Sequence, residues 1–227
     1  MTEYLDLTHP FYEGMPGFKM KHPETGELLQ YGCKIFPFRT REQMAPNYSP
    51  GVSFEITQFE FQSSVGTYLD SPYHRYANGR DIGSLELNEL ILEGFVVDAT
   101  NTKSQTEFRA QLHNLKLEGK AVLFNFGWDK YFGTDKYHQQ PYLSEDTIDL
   151  LINQKVSLVG VDTINIDNSA NPSRPAHTKL LAKDILIVEN LCNLEKLPKT
   201  NFTFFAMPIP AVKAAAIPVR AFARVSN

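Results

Sequence analysis

The stretch Ser64-Val65-Gly66-Thr67-Tyr68-Leu69-Asp70-Ser71-Pro72-Tyr73-His74 constrains the fold most tightly, because it sets an acid, a base and two backbone punctuators within a few residues. Gly66 can adopt backbone angles that other residues avoid, while Pro72 fixes its own φ and pushes Ser71 toward an extended conformation. The chain is expected to leave a strand here, turn sharply and project Asp70 and His74 from a held loop. Such a pair suits a metal ligand with a proton-transfer group, and equally a turn-capping acid with a hydrogen-bonded histidine. Spacing alone favours the second.

Around this stretch the pattern alternates between strand and helix. Tyr4-Leu5-Asp6-Leu7 predicts a short strand ending at Thr8-His9-Pro10, with His9 either structural or supporting a ligand from behind rather than a ligand itself. Residues from about 19 to 50 carry Pro23, Gly26, Gly32, Pro37, Pro46 and Pro50 among aromatics, which predicts an irregular, partly extended arm. Alternating Val52, Phe54 and Ile56, then Phe59 and Phe61, predict a half-buried strand with a bulge near Thr57-Gln58. Leu85, Leu90 and Ile91 suggest a short helix before a strand at Phe95–Asp98. Ser104-Gln105-Thr106-Glu107 has a capping-box pattern, followed at helical spacing by Phe108, Leu112 and Leu115. A strand at Val122–Phe126, a helix entered at Ser144 and a strand at Val156–Val161 complete an α/β pattern with a mixed sheet.

Composition narrows the function classes. A chain of 227 residues can bury roughly 70% of its unfolded surface in one core. The formal net charge of −4 and the absence of a Lys/Arg cluster give no footprint for nucleic acid. Cys33 and Cys192 lack a metal-type spacing and read as buried thiols, with a disulfide left open. The apolar tract Phe202–Ala223 is interrupted by Pro208, Pro210, Lys213, Pro218 and Arg220, so it reads as buried strands rather than a membrane span. The start Met1-Thr2-Glu3-Tyr4 has no apolar leader core, and the expected location is cytoplasmic.

The opening stretch resembles the signature H-x-G-T-H-x-D-x-P-x-H of the cyclase family, which includes metal-dependent bacterial kynurenine formamidases. Gly66, Thr67, Asp70, Pro72 and His74 match it; Ser64 and Tyr68 stand where the family has two metal-ligand histidines. Phe126-Gly127-Trp128-Asp129, Gly160-Val161-Asp162-Thr163 with Asp167, His177, Ile187-Val188-Glu189-Asn190-Leu191 and Pro218-Val219-Arg220-Ala221 are similar to further family blocks. The family usually has an aspartate-glycine before that last block, where this chain has Ala214-Ala215-Ala216.

The resemblance implies a single compact β/β/α domain over 1–227, with a central mixed sheet flanked by helices. It implies hydrolysis of aryl formamides such as N-formylkynurenine, with His74 and Asp70 catalytic and Ser64, Tyr68 and Trp128 lining the pocket, near the aromatics Phe36 and Phe38. Asp70, His177 and Glu189 would hold a single weak zinc or manganese ion, if any, whose occupancy falls as pH drops through the histidine range. A hydrogen-bonded Asp-His-Glu cluster without metal is the competing expectation, and with it a non-catalytic or redirected small-molecule binder. A small-molecule ligand, no nucleic acid, no membrane, and a homodimer or higher homo-oligomer complete the expectations.

Overall fold

The computed structural model describes residues 2–100, 110–112 and 115–226. The capping box at Ser104–Glu107 and Phe108 lies outside the described residues; residues 110–112 are helical and Leu112 is fully buried. The chain divides into two compact units, one of Pro10–Gly66 and one of the residues up to His9 and from Thr67 onward.

The larger unit carries a nine-stranded mixed sheet. Its strands are β1 (Thr2–Asp6), β6 (Tyr68–Asp70), β7 (Ile91–Asp98), β8 (Ala121–Asn125), β9 (Leu158–Val161), β10 (Leu186–Glu189), β11 (Phe202–Met207), β12 (Ala216–Pro218) and β13 (Arg220–Ser226). The spatial order is β1-β13-β11-β7-β8-β9-β10-β6-β12. Strands β7 to β10 run parallel, and the flanking pairings are antiparallel.

The parallel centre follows from strands that are apolar on both faces. On β8, Ala121 and Leu123 enter one core cluster while Val122 and Phe124 enter the other. The second cluster is covered by the helices Glu145–Asn153, through Ile148 and Leu151, and Pro175–Leu181, through Ala176, Leu180 and Leu181. Ser144 caps the first of these by accepting from the Thr147 amide at 3.3 Å, as the sequence predicts. In the first cluster Leu69 of β6 and Ile217 of β12 join Phe204 of β11 and Ala223 of β13, from the opposite end of the strand order. The sheet therefore curls, and its own end strands help close that face.

The helix predicted near Leu85–Ile91 is shorter than the pattern suggests. A 3₁₀ turn at Ile82–Ser84 precedes the helix Leu87–Leu90, and Ile91 already opens β7. Both cysteines are buried and free. Among the described residues no helix is long and apolar enough to cross a membrane.

The unit Pro10–Gly66 is more regular than the arm predicted from its prolines and glycines. It holds two hairpins, β2 (Pro16–Lys21) with β3 (Leu28–Gly32), and β4 (Lys34–Arg39) with β5 (Ile56–Glu60). The predicted bulge exists but falls on the partner strand: Pro37 faces Thr57 and Arg39 faces Ile56, so Phe38 is the extra residue. The expected half-buried strand over 52–61 is corrected in extent and burial. Only Ile56–Glu60 is extended in the ladder, and Val52, Phe54, Ile56, Phe59 and Phe61 are 39–53% exposed. Alternation is present, yet β5 pairs with β4 alone, in a two-stranded sheet.

Gly94 of β7 stands opposite Phe202 of β11, whose buried ring would lie 2.0 Å from a Cβ added at that position. Gly94→Ala is expected to destabilise the protein by about 1–3 kcal/mol, because a ring buried in the core has little room to withdraw. A denaturant midpoint unchanged from wild type would contradict this.

Candidate active site

Three elements bring the candidate residues together on the helix-covered side of the sheet. Gly66 has φ +64, Ser71 is extended at φ −99 and ψ 166, and Pro72 opens the 3₁₀ turn Pro72–His74, as the sequence requires. Side chains two apart on a strand share a face, so Tyr68 and Asp70 of β6 point the same way. In the antiparallel pairing of β6 with β10, Glu189 stands directly opposite Tyr68. His177 comes from the helix Pro175–Leu181.

Asp70 is wholly buried, and neither of its carboxylate oxygens accepts a hydrogen bond among the described residues. Its neighbours are His74, with Nδ1 at 3.4 Å from Oδ1, and His177, with Nε2 at 3.8 Å from Oδ2. His177 Nε2 also lies 3.6 Å from Glu189 Oε1. Glu189 is itself fully buried; its Oε1 accepts from the Ile166 amide at 2.7 Å and its Oε2 from the Tyr68 hydroxyl. His74 sits at the edge of the cluster with its side chain 34% exposed, and its ring centroid is 5.6 Å from that of His177.

Asp167 sets the orientation of His177. Its carboxylate accepts from the Ala176 and His177 amides at 2.7 and 3.1 Å, capping the start of the helix, and lies 2.7 Å from His177 Nδ1. A proton on Nδ1 directed at Asp167 leaves Nε2 facing Asp70 and Glu189. The sequence reading places Asp167 in a motif and gives it no role. The local signal is a buried acid before a short helix that starts with proline.

Burial by itself would lower the His177 pKa, but the Asp167 hydrogen bond and the charges of Asp70 and Glu189 outweigh it and carry the imidazolium up to about 10. Burial, with Asp70 beside it, pushes Glu189 up to about 7 against the opposing pull of His177. Burial and the carboxylates of Glu189 and Asp70 hold the Tyr68 phenol well above its ordinary range. In the metal-free protein Asp167, Asp70 and Glu189 thus hold the proton on His177.

One atom each from Asp70, His177 and Glu189 lie within 4.8 Å of one another, close enough to share a cation. Two carboxylates and an imidazole suit zinc or manganese by donor type. The unpartnered Asp70 oxygens and the free Nε2 edge of His177 meet what such an ion requires, so the residues present fit it.

Ser64 lies in a turn of the Pro10–Gly66 unit and is half-buried; Phe36 and Phe38 belong to the same unit. The Trp128 amide donates to Asp162 at 2.9 Å, its indole N–H donates to the Tyr137 carbonyl at 3.1 Å, and its ring meets Tyr131 edge-on. None of these contacts reaches the Asp70 cluster. His9 stacks on Phe132 with ring centroids 3.8 Å apart, and its amide donates to Thr67 Oγ1 at 3.0 Å.

Comparison with known proteins bears on the family and the fold. The model of the cyclase family matches residues 5–168. The kynurenine formamidase of Delftia acidovorans is 24% identical over 204 residues, covering 86% of this chain and 93% of the relative. That of Erythrobacter litoralis is 28% identical over 203 residues, covering 88% and 92%. In fold the chain is similar to an isatin hydrolase bound to the product analogue thioisatinate, at TM-score 0.82 and 22% identity, covering 100% of this chain and 93% of that one. Isatin hydrolase A from Labrenzia aggregata, bound to benzyl benzoate, gives TM-score 0.83 at 20% identity, covering 100% and 94%.

The elevated His177 pKa has a stability consequence for the metal-free protein. A histidine whose folded value lies above its unfolded value of about 6.5 contributes stability that is complete below 6.5 and lost as pH rises through the folded value. Stability should therefore decline between about pH 6.5 and about 10, and His177→Gln should flatten that limb. Urea midpoints across this range measure it; a limb equally steep in the variant would contradict the assignment.

Proposed function

The chain belongs to the cyclase family, and we propose that it hydrolyses a small amide, an aryl formamide of the N-formylkynurenine type, with a single cation held by Asp70, His177 and Glu189. The observation that carries the reading is the buried, unpartnered Asp70 carboxylate between His74 and His177. The formamide class is supported by the kynurenine formamidases among the relatives.

Lewis-acid polarisation of a carbonyl and a lowered pKa of water are what a divalent cation supplies when bound. The chain's own contribution is proton handling and placement. His74, partly exposed at the edge of the cluster, can take a proton from water and return it to the leaving nitrogen. Asp70 faces His74 Nδ1 and so directs the opposite ring nitrogen, Nε2, away from the buried carboxylate. Asp167 keeps His177 in the tautomer that presents Nε2. Tyr68 steadies Glu189 through its hydroxyl.

A second reading rests on that last contact. Tyr68 satisfies a Glu189 oxygen without any cation, which favours a hydrogen-bonded cluster serving a small-molecule binder. Metal analysis of protein purified without chelator, paired with an N-formylkynurenine hydrolysis assay, separates the two. Stoichiometric metal with turnover supports the hydrolase; metal-free, inactive protein supports the binder. In the hydrolase, His74→Ala should lower kcat by about 10²- to 10⁴-fold with metal content intact. Asp70→Asn should lose metal and turnover together. Turnover undiminished in His74→Ala would remove that residue from the chemistry.

A homodimer or larger homo-oligomer is part of the proposal. Phe38, Tyr48, Val52, Phe54, Ile56 and Phe59 are 40–53% exposed within one unit of the chain, and apolar surface on that scale favours association. Sedimentation at micromolar concentration should give at least twice the 25.8 kDa chain mass; a single species at the chain mass would contradict this.

A further inference from the structure

We propose that Arg174 is a specificity residue: its guanidinium, with the side-chain amide of Asn165, receives the carboxylate that a substrate of the N-formylkynurenine type carries away from its formamide. The inference rests on the hydrolase reading above and deepens it. The segment that holds the pair runs beside the Asp70 cluster. The Ile166 amide donates to Glu189, Asp167 holds His177, and Arg174 directly precedes Pro175 at the start of the helix that carries His177.

The backbone at Arg174 is unusual. Its φ of 44 and ψ of 64 lie in the left-handed region, which a Cβ disfavours and a following proline restricts further. Such a conformation persists only where the surroundings impose it, and it is a common mark of ligand clamps. The side chain is half-buried, and Nη1 donates to Asn165 Oδ1 at 3.3 Å. The guanidinium lacks the partner its charge calls for. Arg41, Arg80 and Arg220 each meet a carboxylate, whereas Arg174 meets none among the described residues. Asn165 is buried at 8% exposure; its Oδ1 accepts from Arg174 and from the Asp167 amide at 2.9 Å, while its Nδ2 donates to no described residue.

A partly desolvated guanidinium fork beside an unengaged amide donor suits a carboxylate, which it can meet through parallel hydrogen bonds. It offers nothing to a cationic group. In N-formylkynurenine the carboxylate stands at the end of a side chain ortho to the formamide, so its partner must lie to one side of the catalytic cluster and not within it. Arg174 and Asn165 occupy such a place, and the proton handling at His74 and His177 draws on neither of their donors.

The test titrates the full chain with L-kynurenine and with kynuramine, its decarboxylated counterpart, in a calorimeter. L-kynurenine should bind about 10- to 100-fold more tightly, the range expected for hydrogen bonds to a charged group. Arg174→Gln should abolish that preference. Arg174→Gly should abolish it too while melting no lower than the unmodified protein, because glycine adopts the left-handed conformation without strain. A preference that survives Arg174→Gln would overturn the proposal. Equal weakening of both ligands would also overturn it, since Arg174 would then be a positioning residue acting through Asn165 and Asp167. Selective carboxylate binding by a chain that hydrolyses no formamide would leave this site standing and overturn the hydrolase reading. A chain that binds neither ligand would overturn the carboxylate site, and turnover of N-formylkynurenine would then show the hydrolase reading standing without it.

Discussion

A carboxylate removed from water without a hydrogen bond is destabilising unless positive charge stands beside it, and Asp70 is such a group. Among the described residues, the imidazoles of His74 and His177 are its close basic neighbours. Much of the surrounding arrangement follows from that need. The helix Pro175–Leu181 delivers His177, Asp167 fixes both the helix start and the ring, and the Pro72–His74 turn brings the second imidazole to the other carboxylate oxygen. With no cation present the imidazolium of His177 meets the requirement, which is why its proton is held so firmly. A cation would take over the same task and release that proton.

The sheet makes this cluster possible by giving its two faces the same apolar character at the centre. Strands β8, β9 and β10 bury both sides, so a short polar cluster at the end of β10 and on β6 sits against a rigid, water-excluding wall. Strand β6 is held by pairing on both edges, to β10 and to β12, with Ala216 and Ile187 flanking Asp70. Its three residues have little freedom to relax, and the positions of Tyr68 and Asp70 are set by the ladder more than by their own contacts.

Features decided by neighbours in sequence were legible there. The positive φ of Gly66, the extended Ser71 before Pro72 and the Ser144 cap each follow from one or two residues and their local sterics or hydrogen bonds. The convergence of Asp70, His177 and Glu189 was legible only through family resemblance, because strand register is invisible to local pattern. What pattern could not supply was the partner of each face. Alternation at Val52–Phe61 says which side chains point together, not what covers them, and the Phe38 bulge lies on the strand opposite the phase slip. Asp167 escaped for a related reason: its function is defined by amides and a ring nine and ten residues away, across a turn.

The double-edged pairing of β6 has a consequence for how such a protein diversifies. Since β6 is paired along both edges, with Tyr68 in register with Glu189 on one side and Pro218 on the other, the side chain there can be exchanged without moving its neighbours. The side chain at position 68 decides what faces Glu189, and here it is a phenol hydroxyl. The ladder thus separates inheritance of geometry from inheritance of chemistry, and one codon at this position can redirect the site while the fold remains silent about the change.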